Sequence, residues 1–168
     1  VFGPEDGYPI VLAHGITCAL RVWHEQINEL SQDFRVIAFD HRGHGRSGVP
    51  TRSGYSLQHL AGDLDAVLAA TLRPGERAVI AGHSMGGIAI SSWAERFRDR
   101  VEERADAVAL INTTTGDLLE EINLLRVPTL LAAGRTLAAR RMIQAFGGAP
   151  LFRGAQPGSR RFVAMMAV

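Results

Sequence analysis

The residues best suited to chemistry are Gly82-His83-Ser84-Met85-Gly86, a serine between two glycines. They stand after the apolar run Ala78-Val79-Ile80-Ala81 and before Gly87-Ile88-Ala89, which reads as the start of a helix. At a sharp strand-to-helix turn a serine is held in a strained backbone conformation with its hydroxyl clear of the strand, where it can attack a carbonyl carbon. Strand and helix nearly collide at such a turn, so glycine is expected on both flanks, and Gly87 eases the approach further. The plainer alternative is a serine in an ordinary βα loop. A strand before and a helix after are the context that favours the nucleophile.

Other reactive side chains are weaker candidates. His41 and His44 have an H-x-x-H spacing that could suggest a metal, but Arg42-Gly43 between them reads as a turn and no third ligand is evident. No metal and no cofactor are expected. Asp40 reads as a turn-former whose carboxylate accepts nearby backbone N–H groups. Cys18 could line a pocket rim near Ile16, but burial as a small apolar residue is the stronger reading.

The elements that must position these residues follow from the apolar pattern. Pro9–Ala13, Phe34–Phe39, Ala78–Ala81 and Ala107–Ile111 are short apolar runs with no helical stripe and read as buried strands. Trp23, Ile27 and Leu30 recur at helical spacing, and so do Leu57, Leu60, Leu64, Val67, Leu68 and Leu72, in a segment that Ser56 can cap and Pro74-Gly75 closes. A third helix carries Ile88, Ile90 and Trp93 and leads into the mixed-sign run Arg96–Arg104, which reads as solvated surface. Strictly alternating strands and helices predict an α/β fold with a predominantly parallel sheet and helices on both faces.

Composition narrows the function classes. The chain has 168 residues, 46% of them hydrophobic, with a formal charge of +1, which fits a globular unit with an apolar core and gives no electrostatic footprint for nucleic acid. All 18 basic residues are arginine, a bias better explained by codon usage than by any binding demand. One cysteine cannot form an intrachain disulfide, which fits a reducing, cytoplasmic compartment. No signal peptide and no apolar span of membrane length is visible. From Ile122 onward the charged residues are seven arginines with no Asp or Glu. That stretch reads either as a solvated face or as one steering anionic substrates or lipid.

Three motifs together resemble the α/β-hydrolase superfamily, specifically its bacterial members with a serine nucleophile. They are His14-Gly15-Ile16, Asp40-His41-Arg42-Gly43-His44-Gly45-Arg46-Ser47 and Gly82-His83-Ser84-Met85-Gly86-Gly87, in that order, each after a predicted strand. The resemblance implies Ser84 as nucleophile, the backbone N–H groups of Ile16 and Met85 as oxyanion hole, and loop-orienting roles for His14 and His83. It also implies a core over residues 1–116, partial and containing the elbow, and a partial helical cap insertion over 117–168. A competing reading takes Val127–Gly134 as another core strand. The expected substrate is a small acyl compound, a carboxylic ester or a relative of one, attacked through an acyl-enzyme. The alternative is a non-catalytic binding protein of the same fold.

In this superfamily the serine is followed along the chain by the acid and then the histidine. Asp117 is a candidate acid, while the six histidines (His14, His24, His41, His44, His59 and His83) all precede Ser84. Since the first residue is Val and the last residues stop within an apolar segment, the sequence reads as a fragment, truncated at both ends and lacking the triad histidine.

Overall fold

The computed structural model describes residues 1–51 and 54–113. The expected cap insertion over 117–168, the competing strand Val127–Gly134, the arginine-rich stretch and Asp117 lie outside the described residues. Four strands, β1 (Pro9–Ala13), β2 (Arg35–Phe39), β3 (Ala78–His83) and β4 (Ala105–Ile111), form one sheet in the order β2-β1-β3-β4. All three pairings are parallel, so each connection must cross a face of the sheet.

A 3-10 turn (Leu20–Trp23) and α1 (His24–Leu30) connect β1 to β2. α2 (Leu57–Thr71) returns the chain to β3, and α3 (Met85–Arg96) with α4 (Arg98–Arg104) leads to β4. Side chains alternate across the strands and separate the core into two layers. Ile10, Leu12, Val36 and Ala81 pack with Trp23 and Ile27 on one face. Val11, Ile37 and Ile80 pack with Leu64 and Leu68 of α2 and with Ile90 and Trp93 of α3 on the other. Helices thus cover both faces, as the apolar pattern required. Ser56 caps α2 by accepting from the His59 amide at 3.3 Å.

Strand ends differ from the sequence reading for identifiable reasons. β2 begins at Arg35 because the Phe34 amide still bonds the Leu30 carbonyl. Arg35 itself is buried, its charge compensated by Glu76 at 2.5 Å and by the Glu5 carbonyl at 2.9 Å. β4 starts two residues earlier than its apolar run, since Asp106 is tied to Arg77 at 2.9 Å and to the Tyr8 hydroxyl at 2.5 Å. The mixed-sign run after α3 is indeed surface, for α4 buries no residue. Phe97, at φ −121° and ψ 50°, separates the two helices.

The strand order fixes where a site can form. From β1 the chain moves to β2 on one side, whereas from β3 it moves to β4 on the other. Loops leaving β1 and β3 therefore diverge over adjacent strand ends, and that crevice is where open α/β sheets bind ligands.

Candidate active site

Ser84 stands in this crevice, between the last residue of β3 and the first of α3. Its backbone has φ 51° and ψ −116°, a region that non-glycine residues rarely enter. Four hydrogen bonds hold it there. Its amide donates to the Ile111 carbonyl at 3.0 Å, and its carbonyl accepts from the amides of Gly87 (2.9 Å) and Ile88 (3.2 Å) and from the Thr113 hydroxyl (2.7 Å). Sequence reasoning missed Thr113. The signal for it was only positional, because it follows the strand paired with β3.

The glycines around Ser84 are required by close approach. A Cβ on Gly82 would come within 2.5 Å of the Gly86 carbonyl carbon, and one on Gly86 would overlap the Ala13 carbonyl of β1. One on Gly87 would overlap the side chain of Thr113. Gly15 is equally confined, since its Cβ would lie 2.9 Å from His83 Nδ1 and 3.3 Å from Ser84 Cβ. The loop that carries Ile16 therefore lies against the serine. Ile16 itself is exposed, and Met85 is half-buried at the first position of α3. Neither amide has an acceptor among the described residues.

The histidines have other partners. His14 is fully buried, with Nδ1 bonded to the Gly15 carbonyl at 2.7 Å and Nε2 accepting from the His41 amide at 3.0 Å. His44 bonds the Arg42 carbonyl through Nδ1 at 2.9 Å and accepts from the Thr17 amide through Nε2 at 3.2 Å. With both its ring nitrogens engaged by backbone, His44 is not disposed to join His41 in holding a metal, and no group of three or more metal-ligating side chains occurs among the described residues. No histidine among the described residues is hydrogen-bonded to Ser84 Oγ. Asp40 serves its turn as expected: its carboxylate accepts from the Leu20 amide at 2.6 Å and the Arg46 amide at 2.9 Å. Burial pushes the Asp40 carboxyl up, but these amides and the neighbouring histidines outweigh it and hold the group below its ordinary value.

Burial lowers the imidazoles of His14 and His83 and brings His41 down to about 4, with the charges of His14 and His44 adding to the effect on His41. His41 is fully buried against Phe39 and His14, and among the described residues neither of its ring nitrogens has a partner. Its neutral form is thus bound into the fold, while the unfolded chain takes up a proton near the ordinary value of 6.5. Stability is complete above that value and is lost as pH falls toward the folded-state value. Urea midpoints at pH 7.5 and pH 5 should show the parent losing about 2 kcal/mol more than His41→Phe. Equal losses would show that His41 does not titrate with unfolding.

Residues 8–142 match the alpha/beta hydrolase fold family. The chain belongs to this family. A non-heme chloroperoxidase of Streptomyces lividans is 40% identical over 96 residues, covering 56% of this chain and 34% of that protein. A probable oxidoreductase, EphD, of Mycobacterium tuberculosis is 36% identical over 95 residues, which are 56% of this chain and 16% of its own length. The crystal structure of an esterase, RhEst1, from Rhodococcus sp. ECU1013 superposes with a TM-score of 0.62 and 34% identity, over 68% of this chain and 41% of that one. The chain thus spans less than half the length of each of these relatives. Their names differ in chemistry although they share the fold, so activity has to be argued from the site. Among the described residues no helix is long and apolar enough to cross a membrane.

Proposed function

We propose that this chain is the nucleophile-bearing part of a serine hydrolase acting on a carboxylic ester or a related acyl compound. The observation that carries the reading is the backbone of Ser84, at φ 51° and ψ −116° between β3 and α3. A β3–α3 junction without a functional serine would not need that strain. Ser84 Oγ attacks the substrate carbonyl carbon, its proton passing to an imidazole base, and the carbonyl oxygen becomes an oxyanion. The amides of Ile16 and Met85 receive this charge, helped by the positive end of α3. Collapse of the tetrahedral intermediate expels the alcohol, which takes the proton from the imidazolium, and leaves an acyl-serine. Water attacking the acyl-serine completes the cycle.

The imidazole base is not among residues 1–168 in this reading. All six histidines precede Ser84, and those with bonds to backbone are already engaged. Asp117 remains the candidate acid. Purified residues 1–168, assayed with a p-nitrophenyl ester beside their Ser84→Ala variant, should show at most weak Ser84-dependent turnover, whereas the full-length protein should turn over strongly. Strong Ser84-dependent turnover by residues 1–168 would instead put the base at His41, His44 or His59.

A further inference from the structure

The loops that leave β1 and β2 are stitched together by two imidazoles reaching in opposite directions. His14, at the end of β1, extends to the β2 loop through the His41 amide, and His44, in the β2 loop, extends back to the Thr17 amide. The bond to the Arg42 carbonyl places the His44 proton on Nδ1 and leaves Nε2 as acceptor. Thr17 has φ 62°, unfavourable for a β-branched residue and maintained only where neighbouring groups over-determine it.

These bonds fix two successive peptide planes. The Gly15 carbonyl accepts from His14 Nδ1 at 2.7 Å and from the Cys18 amide at 3.2 Å. Since C=O and N–H of a trans peptide point in opposite directions, a fixed Gly15 carbonyl fixes the direction of the Ile16 N–H. The next plane contains the Ile16 carbonyl, bonded by the Thr17 hydroxyl at 2.6 Å, and the Thr17 N–H, bonded by His44. Ile16 lies between these two planes. It is otherwise exposed, with little packing of its own to hold it.

We propose that His44 is a positioning residue for the Ile16 amide: by accepting from Thr17 it anchors the second plane and keeps the oxyanion donor aimed beside Ser84. The inference rests on the serine-hydrolase reading above. In this role His44 acts through the Thr17 amide and not on the substrate itself, so its removal acts on the transition state, where the oxyanion is held, more than on ground-state binding.

The test uses the full-length protein, its His44→Phe and His44→Gln variants, and Ser84→Ala. Phenylalanine fills the space without an acceptor, whereas the Gln carbonyl oxygen can stand where Nε2 was. With a p-nitrophenyl ester, His44→Phe should lower kcat roughly 10–100-fold with KM within about twofold, and His44→Gln should recover most of the loss. Exchange of the Thr17 amide should accelerate in His44→Phe and slow again in His44→Gln; His44→Ala replaces the phenylalanine variant if that fails to fold. Unchanged kcat, or no recovery with glutamine, overturns the proposal, as does Thr17 exchange unaltered by the loss of His44. Turnover that survives Ser84→Ala overturns the hydrolase reading itself and thereby identifies which of the two has failed.

Discussion

Replacing Ser84 with alanine in the full-length protein is expected to lower turnover of an activated ester by on the order of 10⁶, with the fold intact. The size follows from the mechanism. Without Oγ no acyl-enzyme can form, and the oxyanion donors and substrate binding retain only the residual acceleration that such sites give over water. Thermal and urea unfolding should change little or even favour the variant, because the strained backbone at φ 51° is held by bonds to the Ser84 amide and carbonyl, which alanine keeps. Circular dichroism and kcat measured on the same preparation check both halves.

Gly86→Ala should have the larger structural effect, destabilising the protein by roughly 3 kcal/mol or more, a large part of the stability of a typical domain. Its new methyl group would overlap the Ala13 carbonyl and lie 2.9 Å from the His14 carbonyl oxygen. Both are backbone atoms at the end of a strand paired on each side, so neither can yield without disrupting the sheet. In Gly87→Ala the nearest atoms to the new methyl belong to the Thr113 side chain, which can rotate, so the change should be milder at the expense of the Thr113 bond to Ser84. Gly62→Ala, in the interior of α2 with nothing near its added methyl, should stabilise by about 1 kcal/mol. Urea midpoints of the three variants should fall in that order; Gly86→Ala folding as well as the parent would contradict the elbow geometry.

The sequence reading of local structure held where the pattern is local. The Gly82–Gly87 turn was legible from its own residues, since Gly82 closes on Gly86 and Gly87, whereas the contacts that confine Gly86 and Gly87 come from Ala13, His14 and Thr113. The strands were visible as apolar runs and α2 as a stripe with a capping serine. Residues whose partners come from elsewhere in the chain were not legible. Arg35 looks exposed by type, yet it is buried by a glutamate 41 positions away. His44 invited a metal reading through its spacing to His41, whereas its partner is Thr17, 27 positions earlier. That link exists only because β1 and β2 pair with Ala13 opposite Phe39, which brings the two following loops side by side. Thr113 likewise reaches Ser84 only through the pairing of β3 with β4.

The central claim, that Ser84 is an activated nucleophile, is tested most directly by a fluorophosphonate probe on the full-length protein. Such a probe phosphonylates a serine only where a base and an oxyanion site act on it. Peptide mapping by mass spectrometry should find one equivalent of adduct on the peptide containing Ser84, none in Ser84→Ala, and loss of esterase turnover in step with labelling. Esterase turnover that persists with Ser84 unlabelled, or an adduct on another serine that accounts for the inhibition, would contradict the account.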